Sequence, residues 1–115
     1  MRQLVRRWAA ALGFSLVNQT KLVTAASELA RNTVQYGGGG TMRIDVVGDL
    51  VRRGLRLTFE DHGPGIPDVA RALTDGYTTG QGLGLGLSGS KRLVNEFDLT
   101  TAVGQGTRVT AVSWK

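Results

Sequence analysis

The sequence has no cysteine, two prolines and a single histidine, and aromatic residues make up only 6% of it. Without cysteine there is neither a disulfide framework nor a thiolate metal site. The lone histidine, His62, has no second imidazole or thiolate to share a metal with, and it reads as a turn residue. So few aromatics cannot build a base-stacking platform for nucleic acid. No apolar run approaches the roughly 18 residues of a membrane-spanning helix. Met1–Ala11 carries Arg2, Arg6 and Arg7 along an amphipathic stretch, not ahead of an apolar block, so it does not read as a secretory signal. These absences exclude a secreted disulfide scaffold and a membrane span, and they point to a cytoplasmic protein. A length of 115 residues is that of one domain, residues 1–115.

Charge and glycine are what the sequence does have. Fourteen basic residues against nine acidic ones leave a net charge of +5. The arginines are scattered, and the densest group, Arg52, Arg53 and Arg56 around Gly54, reads as a hairpin turn with solvated flanks. A nucleic-acid stripe would be more continuous. Glycine accounts for 17 residues, roughly twice the usual 7%. Eight of these fall between Gly63 and Gly89. That concentration suggests backbone that must approach something closely.

Leu4, Val5, Trp8, Ala9 and Leu12 recur at helical spacing, which predicts a helix over 2–12 closed by Gly13. Asn18 fits the N-cap of a second helix, marked by Leu22, Ala25, Ala26, Leu29, Ala30 and Thr33 and ended by Gly37–Gly40. Met42, Ile44 and Val46 alternate with polar residues, as do Leu55, Leu57 and Phe59, so an antiparallel hairpin turns at Gly48–Gly54. Asp68–Leu73 reads as a short helix and Asp75–Gly84 as a loop. Leu87, Leu93, Val94 and Phe97 predict a third helix over about 85–97, followed by strands near 98–103 and 107–113. This order predicts an α+β fold, a mostly antiparallel sheet with helices on one face.

Four patterns could carry chemistry. Glu28 and Asn32 lie at i and i+4, on one face of the second helix; alone, such a pair is also an ordinary solvated edge. Asp61-His62-Gly63-Pro64-Gly65 ends a strand, a common place for a site and equally for an Asx turn. Gly80-Gln81-Gly82-Leu83-Gly84-Leu85-Gly86-Leu87-Ser88-Gly89 runs into a helix, where backbone amides can meet phosphate. Gly84-x-Gly86-x-x-Gly89 formally fits the dinucleotide pattern, but no apolar strand precedes it. The P-loop pattern also fails, because Ser90 separates Gly89 from Lys91. The fourth pattern, Gly104-Gln105-Gly106-Thr107, is by itself a hairpin turn.

Together, the order and spacing of these patterns resemble the N, G1, G2 and G3 boxes of the GHKL ATPase/kinase superfamily. The nearest resemblance is to its small anti-sigma-factor serine/threonine kinases, especially the switch kinases of the stressosome. Ser27-Glu28-Leu29-Ala30-Arg31-Asn32, Glu60–Pro67, Asp75-Gly76-Tyr77-Thr78-Thr79 and Lys91-Arg92-Leu93-Val94-Asn95-Glu96-Phe97 carry it over nearly the whole chain.

The resemblance implies a Bergerat-type ATP-binding fold. Asn32 would bind Mg²⁺, and Asp61 would accept a hydrogen bond from the adenine amino group. Gly63 and Gly65 would let the backbone close on the base, and Thr107 would support the adenine end. Asp75–Gly82 would form a lid, and the amides of Gly82, Leu83, Gly84, Leu85 and Gly86 would cradle the phosphates. Glu28 would be the general base. Lys91 and Arg92 would reach phosphate or face a partner; the sequence leaves both open. The implied substrate is a STAS-domain antagonist, with a PP2C-type phosphatase downstream. The alternatives are a module that sequesters a sigma factor and a non-catalytic nucleotide sensor, the latter opposed by four intact boxes. Neither nucleic acid nor membrane is expected as a partner. Family members carry a strand before the first helix, and this sequence begins almost directly with that helix, so either the true start lies upstream or one sheet edge is open. An edge left open in this way can pair with a second copy in a dimer.

Overall fold

A computed structural model describes residues 1–49, 51–63 and 86–115. Helix α1 (Arg2–Leu12) ends where Gly13 adopts a left-handed conformation at φ 90°. There Gly13 N–H donates to the Ala10 carbonyl and Phe14 N–H to that of Ala9, both at 3.0 Å. This paired closure also tucks Phe14 over Ala9, and both are buried. Val5 and Ala9 face the core, whereas Leu4 and Trp8 lie on the outer side.

Helix α2 (Leu16–Gly37) begins earlier than its sequence suggests. Ser15 caps it, the hydroxyl oxygen accepting from Asn18 N–H at 3.1 Å. Asn18, the expected cap, therefore sits inside the first turn. Both residue types suit the position, and it is the hydroxyl of Ser15 that takes the orphan amide. At the other end Gly38 turns left-handed at φ 74° and Gly39 N–H returns to the Thr33 carbonyl.

Strands β1 (Gly40–Gly48) and β2 (Arg53–Asp61) form the expected antiparallel hairpin. Its turn is held by Asp49, whose Oδ1 accepts from the N–H groups of Val51 and Arg52 at 2.8 and 3.0 Å. Those backbone donors, Arg52 first, hold the Asp49 carboxyl below its ordinary range. The flanking arginines are solvated as expected: Arg43 and Arg56 pair with Asp45, and Arg52 stacks 4.0 Å from the Trp114 ring centroid.

Helix α3 covers Gly86–Leu93 only, four residues short of the expected end. Phe97 belongs instead to strand β3 (Glu96–Ala102), which pairs with β4 (Gly106–Trp114). Val94 and Phe97 suit a helical period, but Phe97, Leu99 and Thr101 also suit the strand period of two. The strand prevails because Asn95 joins the ladder: its N–H donates to the Val112 carbonyl, and its Oδ1 accepts from Trp114 N–H at 2.7 Å.

All three strand pairs are antiparallel, in the order β1-β2-β4-β3. The α+β architecture is thus as the sequence predicts. Leu55, Leu57 and Phe59 of β2 and Val109 and Ala111 of β4 meet Val5, Ala9, Leu22, Ala26, Leu29 and Leu87 in one core. Each strand shows alternate residues to the helices, and the row at the Asp61 end of that face carries the site. No helix among the described residues is long and apolar enough to cross a membrane. The expected short helix at Asp68–Leu73 and the loop at Asp75–Gly84 lie outside the described residues.

Candidate active site

Asp61 is the last residue of β2 and faces the same side as Leu55, Leu57 and Phe59, by the alternation of the strand. Register aligns it with Gly40 of β1 on one side and with Thr107 of β4 on the other. Thr107 in turn opposes Thr101 of β3, their hydroxyls 3.0 Å apart, and Thr101 Oγ1 also donates to the Gly106 carbonyl. One row of the sheet therefore reads Gly40, Asp61, Thr107, Thr101. Asp61 and Thr107, drawn from motifs far apart in the chain, are cross-strand neighbours.

The Asp61 carboxylate serves its own turn as well. Its Oδ1 accepts from Gly63 N–H at 2.9 Å, the Asx turn that the motif suggests. Oδ2 has no partner among the described residues. Gly106 makes this corner possible. Its φ is +115°, and a Cβ there would stand 2.1 Å from the Asp61 carbonyl oxygen. His62 is exposed just beyond the strand, in keeping with a turn residue.

Helix α2 runs to the same corner. A Cβ on Gly40 would lie 2.8 Å from Thr33 Cγ2, so the last turns of α2 stand against the strand that pairs with Asp61. Asn32 precedes Thr33, and Glu28 lies one turn back on the Asn32 face. Both are half-buried. Asn32 makes no side-chain hydrogen bond among the described residues, while Thr33 Oγ1 donates to the Leu29 carbonyl. Glu28 Oε2 accepts from Arg31 Nη2 at 2.9 Å.

Helix α3 packs on α2 through Leu87 and the buried Ser90. Its last residues, Arg92 and Leu93, line a cleft with Asn18 and Lys21 of α2 and with Ser113 and Trp114 of β4. The end of α3 is thus at the start of α2. Arg92 lies beside Trp114, at the opposite end of β4 from Thr107. Gly65, Gly82, Leu83, Gly84 and Leu85 fall outside the described residues.

The arrangement sets the Glu28 carboxylate and the Asn32 amide on α2, whose end stands near the strand-end carboxylate of Asp61. It offers no group of three His, Asp or Glu side chains among the described residues that could cage a metal. A metal would have to bring its other ligands with it. Two residues missing from the sequence reading belong here. Thr101 braces Thr107, and Arg31 holds Glu28. The signal for Arg31 was its i, i+3 spacing from Glu28.

Residues 17–115 match the family described as Histidine kinase-, DNA gyrase B-, and HSP90-like ATPase. The chain belongs to this family. It is 48% identical to the serine/threonine-protein kinase RsbT of Bacillus subtilis (strain 168), over 98% of this chain and 85% of that protein. It is also 29% identical to the anti-sigma F factor of Clostridium novyi (strain NT), over 78% of this chain and 66% of that protein. With the first likeness spanning nearly the whole chain, the protein is an ATP-dependent enzyme of the serine/threonine-protein kinase class.

Proposed function

We propose that this chain, acting as a single domain, transfers the γ-phosphoryl group of ATP to a serine or threonine of a STAS-domain antagonist in a partner-switching pathway. The observation that carries the reading is that the end of α2, at the residue after Asn32, stands against Gly40, the cross-strand neighbour of Asp61.

The residues fit a nucleotide. Asp61 keeps Oδ2 for an amino donor while Oδ1 holds the turn. Arg31 Nε is a buried donor with no partner among the described residues, beside the carboxylate that would act as base. Asn32 presents a hard, neutral oxygen that makes no hydrogen bond among the described residues, as Mg²⁺ accepts when the remaining ligands are phosphate and water. When bound, Mg²⁺ would neutralise the phosphate charge that develops during transfer.

Glu28 takes the proton of the attacking hydroxyl while its oxygen bonds to phosphorus and the bond to ADP breaks. Asn32 would hold the metal, and Asp61 would select the base, with Thr107 and Thr101 setting its edge of the site. The family resemblance assigns Gly63 and Gly65 to the base, the amides of Gly82–Gly86 to the phosphates and Asp75–Gly82 to a lid, and of these only Gly63 and Gly86 are among the described residues. Phosphoryl transfer needs chiefly positioning and electrostatic stabilisation, so this set suffices.

The pathway supported by this reading is cytoplasmic: the antagonist is phosphorylated, and the released kinase engages a PP2C-type phosphatase. A second reading is favoured by the likeness to an anti-sigma factor, namely that the chain sequesters a sigma factor and uses phosphorylation as the release. Incubation with Mg²⁺-ATP, a STAS-domain protein and a sigma factor separates them. Phosphoserine or phosphothreonine on the STAS protein without a sigma complex supports the first. A nucleotide-dependent sigma complex supports the second.

A further inference from the structure

Arg31 occupies the position between the proposed base and the proposed metal ligand. It follows Glu28 by three residues, on the same helical face. Its Nη2 donates to Glu28 Oε2 at 2.9 Å, with Arg31 33% and Glu28 18% exposed. Arg31 Nε is buried and has no hydrogen-bond partner among the described residues. Buried donors without partners are rare in native proteins, and each carries a desolvation cost.

The chemistry of the guanidinium makes this informative. Nε–H and one N–H of Nη2 point along the same edge, spaced to meet two oxygens. One half of that edge is engaged by Glu28. The other half is buried and unsatisfied. A purely structural i, i+3 ion pair would leave the rest of the guanidinium in water, where it needs no partner.

The second oxygen can be located from the reaction. A general base stands within about 3 Å of the oxygen it deprotonates. That oxygen stands about 3–3.5 Å from the phosphorus it attacks. A donor on the same edge as the base is therefore a neighbour of the terminal phosphate, not of the inner two. A carboxylate so close to a triphosphate also meets like charge, which a cation shared between them offsets.

We propose, on the basis of the role given to Glu28 above, that Arg31 bridges the base to the nucleotide: Nη2 holds Glu28, and Nε donates to an oxygen of the γ-phosphate. Arg31 then makes the site read triphosphate over diphosphate and ties the base to the presence of its substrate. Lysine cannot replace it, because a single ammonium lacks the two-pronged edge.

Calorimetry with the β,γ-imido analogue of ATP and with ADP, each with Mg²⁺, tests this without turnover. Arg31→Gln should weaken the triphosphate by about tenfold or more, the effect of one charge-assisted hydrogen bond, while ADP affinity changes by less than about twofold. Arg31→Lys, which keeps the charge and most of the packing, should lose most of the same preference, and it decides the matter if the Gln variant melts before it can be titrated. An unchanged ratio of the two affinities, or an equal loss of both, overturns the bridge. Phosphotransfer by Glu28→Gln is measured alongside. Wild-type transfer by that variant refutes the base and the bridge with it. An inactive Glu28→Gln with an unchanged triphosphate preference in Arg31→Gln refutes the bridge alone.

Discussion

Asp61→Asn separates the binding role of Asp61 from its structural one. In the wild-type protein Oδ1 accepts from Gly63 N–H at 2.9 Å, and Oδ2 has no partner among the described residues. Asparagine keeps an oxygen for the turn, so the corner between β2 and β4 should survive. It replaces the second oxygen with an NH₂ group, which meets the adenine amino group donor to donor. Losing a hydrogen bond to a charged acceptor costs about 1.5–3 kcal/mol. At 1.4 kcal/mol per tenfold, ATP affinity should fall roughly 10- to 150-fold. Titration calorimetry reads the affinity and a thermal melt reads the fold. The expected result is weakened ATP with a melting temperature within about 2 °C of wild type. An Asp61→Asn variant that binds ATP within about twofold of wild type, at an unchanged melting temperature, would refute the placement of adenine at Asp61.

Two further expectations concern the frame around the site. Gly106→Ala should strain the backbone at φ +115°, at a cost of roughly 1–3 kcal/mol, and should push β4 away from the Asp61 carbonyl. A lowered melting temperature together with reduced ATP affinity is expected, and a wild-type melt would contradict the close approach. Ser15→Ala removes the hydroxyl that caps α2 and should cost about 1 kcal/mol, or roughly 4 °C in melting temperature for a chain of this size. Asn18→Ala should do less, since its side chain caps nothing, and the reverse order of the two melts would restore Asn18 as the cap.

How much of this was legible depended on whether local pattern or distant register decided it. The apolar stripe Leu22, Ala26, Leu29 gave α2, and the alternation of Leu55, Leu57 and Phe59 gave β2, because each fits one period only. The end of α3 was not legible. Val94 and Phe97 fit both periods, and the choice depends on the pairing of Asn95 with residues 112 and 114. The cap of α2 was misplaced by three residues because serine and asparagine compete for the same job. Within the candidate site, the spacing of Glu28 and Asn32 showed only that they share a helix face, and their proposed roles came with the family resemblance. That Thr107 would stand opposite Asp61 needs the β2–β4 register, which no local pattern contains. Arg31 was visible within its motif, but its buried Nε emerges only from packing.

The most direct test of the central claim is phosphotransfer by the purified wild-type protein and its Glu28→Ala variant. Each is incubated with Mg²⁺, γ-labelled ATP and a STAS-domain protein, and ATP affinity is measured in parallel. The account predicts label on a serine or threonine of the STAS protein with wild type. With Glu28→Ala it predicts no label, although ATP still binds. Equal labelling by both proteins would contradict Glu28 as the base, and a wild-type protein that binds ATP yet labels nothing would contradict the proposed substrate.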